Sequence, residues 1–150
     1  MLMDPNFADI ADFLRCDLLV FDYVGYGVSD GVSAEKSVYD TVERVYKYAT
    51  DDLGYDPNDI ILIGFSLGTA AMVHIASQNP DLGAVVLIAP FMSLWRVFLR
   101  RSNINPSMDM FPSYEKALTI HCPTLVCHGK KDVIVDQKHG LAMKERDTKL

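Results

Sequence analysis

The 150-residue sequence predicts an α/β protein in which a mostly parallel sheet carries helices on both faces. Short apolar runs alternate along the chain with longer amphipathic stretches, and glycine or other turn-forming residues separate them. Apolar runs of about 4–8 residues are typical of strands buried on both faces. Four such strands are predicted, at 17–23, 60–64, 84–89 and 124–127.

The amphipathic stretches predict helices at 5–15, 33–53, 67–78 and 137–146. In the second of these, Val38, Val42 and Val45 recur at spacings of three and four residues, so one face of the helix packs inward. Gly54 suits the C-cap of that helix. The segment 90–120 is less regular and lies where a cover over a substrate would be placed.

Composition excludes several classes of partner. The formal charge of −6 and the pI of about 5.0 argue against nucleic acid or an anionic membrane as an electrostatic partner. The three cysteines have neither a disulfide-framework nor a metal-ligand spacing, so no metal site is expected from them. The first residues lack the pattern of a secretory signal, and no apolar run reaches the length of a membrane span. A reducing, cytoplasmic setting is the expectation.

The motif Gly64-Phe65-Ser66-Leu67-Gly68 fits the pattern G-x-S-x-G. It lies directly after the buried strand 60–64 and directly before a helix of small residues, which is the context of a nucleophile elbow. Ser66 is therefore the predicted nucleophile, and the backbone N–H of Leu67 faces the developing oxyanion. The alternative is a glycine-rich turn in which Ser66 only caps the helix.

A carboxylate follows the last predicted strand in the sequence His128-Gly129-Lys130-Lys131-Asp132. Catalytic groups of parallel sheets gather at the carboxyl ends of the strands. In proteins with a nucleophile elbow, the nucleophile precedes the acid along the chain, as Ser66 precedes Asp132 here. Asp132 is the predicted triad acid, which would orient a histidine. Asp136 is the rival, but its position before the last helix favours an N-cap role.

The chain resembles the alpha/beta-hydrolase-domain-containing proteins, and most closely the branch that includes the protein depalmitoylases. Four landmarks match in order along nearly the whole chain: Asp22-Tyr23-Val24-Gly25-Tyr26-Gly27-Val28-Ser29-Asp30-Gly31, the motif at 64–68, Ala89-Pro90-Phe91-Met92-Ser93, and 128–132 followed by His139-Gly140-Leu141-Ala142. The resemblance implies an alpha/beta-hydrolase fold, Ser66 and Asp132 as catalytic residues, no cofactor, and hydrolysis of esters or thioesters, with a lipidated protein as one suggested substrate.

The family pattern also contains parts that this chain lacks. A strand ending in His-Gly, which donates a second oxyanion N–H, belongs between the predicted strands 17–23 and 60–64 in the sheet. The catalytic histidine of the family follows one more strand beyond the acid. The expectation is therefore that residues 1–150 are a partial hydrolase domain, cut from a longer protein or a truncated gene model, with any membrane attachment outside it.

The four histidines of the chain do not suit the missing role. His74 is predicted inside the helix after the nucleophile, and His121 precedes the last strand at the opposite end of the sheet. His128 is expected to brace the loop of Asp132, and His139 to be a solvated helical residue. The sequence leaves three functions open: a serine hydrolase whose histidine lies outside the chain, an inactive module that binds a partner, and a serine peptidase of the same fold.

Overall fold

Three parallel strands form the centre of a computed structural model that describes residues 6–99 and 109–147. The strands are β1 (Ile61–Phe65), β2 (Ala84–Ile88) and β3 (Thr124–Cys127), and they lie side by side in that order. Ile61 pairs with Ala84 in the first ladder, and Val85 pairs with Thr124 in the second. Each strand begins within one residue of its predicted start, which confirms these three predictions.

Six α-helices are described, and every helix predicted from the sequence is present. Their bounds are α1 (Phe7–Leu14), α2 (Glu35–Lys47), α3 (Leu67–Gln78), α4 (Leu94–Leu99), α5 (Ser113–Lys116) and α6 (Gln137–Asp147). A π-helical turn, Tyr48–Asp52, extends α2, and Gly54 ends it with φ of 75°, the left-handed conformation for which glycine is suited. Helices α4 and α5 lie in the segment that was expected to be irregular, of which residues 100–108 are outside the described part.

The helices that contact the sheet lie on one face of it. Helix α3 packs against β1 and β2, and α6 packs against β3. Parallel strands that follow one another in one direction, joined by right-handed crossovers, place their connecting helices on the same side. The core therefore lies between this face and the helices, with Val85, Leu87 and Val73 almost fully buried.

No described helix covers the opposite face of the sheet. Ile61, Ile63 and Phe65 alternate with the buried positions of β1 and are 60%, 49% and 68% exposed. Leu125 of β3 is exposed on the same face, because it pairs with Val86, which in turn pairs with Ile63. The fold class is the predicted one, but helices on both faces are not found within this range.

The prediction of a strand at 17–23 is wrong. These residues form no strand, and Leu19 and Val20 are about half exposed. A strand is stabilised by hydrogen bonds to a neighbouring strand, and in the described range β1 has a neighbour only on its β2 side. Helix α1, which precedes this segment, is capped by the Asn6 side chain and contains no buried residue.

Candidate active site

Ser66 lies at the bend between β1 and α3. Its backbone has φ of 50° and ψ of −116°, a conformation that non-glycine residues rarely adopt. The Ser66 N–H donates to the Ile88 carbonyl at 2.9 Å, so the residue is still held by the sheet. Although Ser66 occupies the N-cap position of α3, its side chain makes no capping hydrogen bond. The hydroxyl is thus presented at the bend, and the capping alternative finds no support.

Glycine is required on one flank of this bend, at Gly64, and is tolerated rather than required at Gly68. A Cβ on Gly64 would lie 2.6 Å from the Gly68 carbonyl oxygen and 2.9 Å from the Met72 Cγ, closer than side-chain carbons approach other atoms. A Cβ on Gly68 would lie 3.6 Å from the Tyr23 hydroxyl, an ordinary contact distance. The first glycine therefore allows α3 to approach β1, and the second leaves space beside Tyr23.

Helix α3 begins at the residue directly after Ser66. Leu67 is the first residue of the helix, and the first N–H groups of a helix have no acceptor within it. These amides and the helix dipole favour negative charge at this position. The geometry is compatible with the predicted contact between the Leu67 N–H and an oxyanion formed at Ser66.

Asp132 lies in the loop between β3 and α6. Its Oδ1 accepts hydrogen bonds from the N–H groups of Ile134 and Val135, both at 2.9 Å. These bonds, the Val135 bond first, lower the pKa of the Asp132 carboxyl. The rival Asp136 accepts from the N–H of Lys138 through its side chain and so caps the start of α6, as predicted.

Strand β2 separates Ser66 from Asp132, because one follows β1 and the other follows β3. Two strand spacings of about 4.8 Å place the ends of β1 and β3 roughly 10 Å apart. An imidazole ring that makes a hydrogen bond of about 2.8 Å on each side spans a gap of similar size. The sheet thus places both predicted residues beyond the carboxyl ends of its strands, at one edge.

None of the four histidines is hydrogen-bonded to Ser66 or Asp132 among the described residues. The Nε2 of His74 lies 2.7 Å from the Glu43 Oε1, on the side of α3 that packs against α2. His121 is exposed at the amino end of β3. His139 is buried, contrary to the expected solvated position, and its Nδ1 accepts from the Met92 N–H at 3.4 Å. Burial lowers the pKa of the His139 imidazole. His128 begins the loop of Asp132.

Tyr23 is a neighbour of the bend that motif reasoning did not single out. Its ring packs edge-on against Phe21 and Tyr26, and burial raises the pKa of its hydroxyl. The following loop is held by the Asp22 carboxylate, which accepts from the Val28 N–H at 3.2 Å. The sequence signal for Tyr23 was the segment 22–31, which matches the family pattern but assigns no role to this tyrosine.

A buried ion cluster beyond β2 was also missed. Arg96 of α4 is almost fully buried, and its Nη2 donates to the Glu115 Oε1 at 2.7 Å. Its Nε lies 3.8 Å from the Oδ2 of buried Asp109. The cluster ties α4 to α5, on either side of the segment outside the described residues. An arginine in an apolar helix was its only sequence signal.

The described part of the chain contains neither a candidate metal site nor a candidate membrane span. No cluster of three or more histidine, cysteine, aspartate or glutamate side chains is arranged to hold a metal ion within it. No helix in the same range has the length and apolar character to span a membrane.

A serine at a strand-to-helix bend and a carboxylate two strands away, on one edge of a parallel sheet, are the arrangement of the alpha/beta hydrolases. The family model described as "alpha/beta hydrolase fold" matches residues 3–103. Since this is more than half of the chain, the chain belongs to the alpha/beta hydrolase family.

Relatives within the family are longer proteins. The chain is 39% identical over 133 residues to the alpha/beta hydrolase domain-containing protein aho-3 of Caenorhabditis elegans. It is 38% identical over 133 residues to alpha/beta hydrolase domain-containing protein 17C of Homo sapiens. These matches cover 89% of this chain and 40% of each relative. The chain therefore spans about two fifths of the length of these relatives.

Solved structures share the fold. The esterase domain of a Rhodothermus marinus protein superposes with a TM-score of 0.58 at 18% identity, covering 74% of this chain and 53% of that domain. A sugar hydrolase from Lactococcus lactis gives a TM-score of 0.53 at 17% identity, covering 78% of this chain and 51% of that protein. At this level of identity the likeness concerns the fold alone.

Proposed function

We propose that the protein containing this chain is a serine hydrolase of acyl esters or thioesters. The observation that carries the proposal is the geometry of Ser66. This residue lies between a parallel strand and a helix N-terminus with φ of 50°, and its hydroxyl makes no capping hydrogen bond to the helix. Strained backbone conformations are found most often at active sites, and in a nucleophile elbow the strained turn exposes the nucleophile. Membership of the hydrolase family supports the same reaction class.

The chemistry follows the order of a covalent acyl transfer. The Ser66 Oγ attacks the acyl carbonyl carbon while its proton passes to a histidine supplied from outside residues 1–150. The oxyanion of the tetrahedral intermediate accepts a hydrogen bond from the Leu67 N–H. Collapse of the intermediate expels the thiol or alcohol, which takes the proton, and water then releases the acid from the acyl-serine. Asp132 orients the histidine and stabilises its cation.

The free Oδ2 of Asp132 suits this role. Oδ1 is occupied by two loop amides, and Oδ2 has no hydrogen bond within 3.5 Å to the described residues, its nearest ion-pair partner being His128 at 3.8 Å.

The proposed substrates include lipidated proteins, since the resemblance is to the depalmitoylase branch. We also propose a reducing cytoplasmic setting, which the absence of a disulfide at Cys16, Cys122 and Cys127 supports. Cell fractionation of the tagged protein tests the location.

A fluorophosphonate probe tests the nucleophile in the longest protein that the reading frame encodes. Labelling is expected at Ser66 and lost in Ser66→Ala. Ser77→Ala is the matched control, because Ser77 lies on the same helix but donates to the His74 carbonyl. Asp132→Asn should lower the labelling rate by about 10³–10⁴. Labelling that persists in Ser66→Ala contradicts the proposal. Turnover of matched ester, thioester and aminoacyl substrates then defines the substrate class.

A second function, a non-catalytic module that binds a partner, is favoured by one observation. In the described part of the chain, all four histidines make their hydrogen bonds elsewhere or make none, and none bonds to Ser66 or to Asp132. If the longest encoded protein folds but neither labels nor hydrolyses p-nitrophenyl esters, this second function replaces the first.

A further inference from the structure

The loop that carries Asp132 is closed by a histidine at its first residue. We call residues 128–135 the acid loop, which joins β3 to α6. The His128 Nε2 lies 2.7 Å from the Val135 carbonyl oxygen at the other end of the loop. The Val135 N–H donates to the Asp132 Oδ1, as does that of Ile134. Val135 thus connects the ring of His128 to the carboxylate of Asp132.

The partner of Nε2 fixes the tautomer of His128. A carbonyl oxygen only accepts hydrogen bonds, so Nε2 must carry the proton. The Nδ1 atom is buried and has no hydrogen-bond partner among the described residues, and the side chain is only 5% exposed. A second proton on Nδ1 would be a buried donor without an acceptor, which is unfavourable. The carbonyl partner requires a proton on Nε2, and the buried, unpartnered Nδ1 favours a neutral imidazole.

Helix α6 is shaped to admit this ring. A Cβ on Gly140 would lie 2.5 Å from the His128 Nδ1 and 3.1 Å from its Cγ, distances that force one of the two to move. Gly140 is not in the left-handed region, so its backbone conformation does not demand glycine. Space for the His128 ring is the remaining reason for glycine at this helical position.

The same geometry leaves Asp132 available to another group. The His128 Nε2 lies 3.8 Å from the Asp132 Oδ2, outside hydrogen-bond distance, and its single N–H is already used by Val135. A neutral His128 cannot neutralise the carboxylate. The hydrogen bonds that stabilise the ionised form come from the Val135 and Ile134 amides.

We propose that His128 is a positioning residue for the triad acid. By donating its one N–H to Val135 it closes the acid loop in the form that holds Oδ1, and it leaves Oδ2 for the catalytic histidine. This inference rests on the proposed function for the role of Asp132, but its structural content is independent of turnover.

Carboxyl ¹³C NMR titration of Asp132, with long-range ¹H–¹⁵N spectra of the histidines, tests the proposal. In the unmodified protein His128 should show the Nε2–H tautomer at pH 7.5. His128→Ala should raise the pKa of Asp132 by about one unit, since the loop amides lose their alignment. His128→Gln should restore it, because a glutamine amide can donate to Val135 from the same place.

Gly140→Ala is the independent variant if His128→Ala fails to fold. It should displace the ring and raise the pKa of Asp132 in the same direction, whereas Leu141→Ala at the exposed neighbouring position should leave it unchanged. An unchanged Asp132 pKa in Gly140→Ala, or an imidazolium at residue 128 at pH 7.5, overturns the proposal. Failure of the probe to label Ser66 would overturn the proposed function instead, without altering these spectra. If both hold, the Ser66 labelling rate should fall in His128→Ala and recover in His128→Gln.

Discussion

A hydrogen-bonded chain across three helices makes Lys116 the most informative site for a stability measurement. Its Nζ lies 2.7 Å from the His74 Nδ1 and 3.7 Å from the centre of the Tyr39 ring. The His74 ring stacks on Tyr39 at 4.0 Å, and its Nε2 lies 2.7 Å from the Glu43 Oε1. An ammonium has only donors, so His74 must be neutral with its proton on Nε2.

Lys116→Met keeps the apolar stem and removes the ammonium. A hydrogen bond to a charged group contributes about 1.5–3 kcal/mol, and a partly solvated cation–π contact about 0.5–1 kcal/mol. Because Lys116 is only partly buried, the expected loss in the free energy of unfolding at pH 7.5 is about 2 kcal/mol. Lys36→Met is the matched control, since its exposed ion pair with Asp40 contributes less than about 0.5 kcal/mol.

The pH dependence gives a second, signed test of the same site. Burial lowers the pKa of His74, and the Lys116 ammonium adds to this against the opposing Glu43 hydrogen bond. The contribution of neutral His74 to stability is complete above the unfolded pKa of 6.5 and is lost as the pH falls below it toward the lowered folded pKa. Removal of Lys116 raises the folded pKa, so the variant should lose less stability on acidification.

Urea denaturation at pH 7.5 and pH 5.0 measures both effects. The destabilisation by Lys116→Met should shrink between the two pH values, by about 1.4 kcal/mol for each unit that the pKa of His74 rises. A loss below about 0.5 kcal/mol at pH 7.5, or an equal loss at both pH values, would refute the reasoning.

Three further predictions concern other parts of the chain. Arg96→Met leaves the Asp109 carboxylate, 1% exposed, without its cation and should cost about 3–5 kcal/mol by urea denaturation; a cost under about 1 kcal/mol would show that the pair is solvated. Gly64→Ala should cost about 1–3 kcal/mol, because the Gly68 carbonyl lies in the way, and an unchanged melting temperature contradicts this. Ser66→Gly should gain about 1 kcal/mol by relieving the positive φ while abolishing probe labelling; destabilisation would mean that the bend is not strained.

Local patterns predicted much of this fold because they determine local structure. The apolar run at 60–64 and the small residues after it gave β1 and α3, whose observed bounds are Ile61–Phe65 and Leu67–Gln78. The strand at 17–23 failed for a different reason: apolar residues favour a strand, but a strand forms only beside a partner. No pattern within 17–23 reports whether that partner is present.

Side-chain partnerships across the fold were beyond the sequence. His139 was expected in solvent and is buried, because the face of α6 that turns inward depends on how the helix packs. The cluster of Arg96, Asp109 and Glu115 joins residues that are distant in sequence, so spacing gave no signal. The motif placed Ser66 at the bend, and its chemical role and that of Asp132 stay predictions.

The central place of β2 separates two tasks that evolution can alter independently. Backbone hydrogen bonding, which does not depend on side-chain identity, sets the distance between the ends of β1 and β3. The residues between β2 and β3 leave the sheet at its middle strand, so substitutions there can change the surface near the ends of the strands without changing the spacing of β1 and β3. A single framework of this kind can vary its surface while the spacing of its strands stays constant.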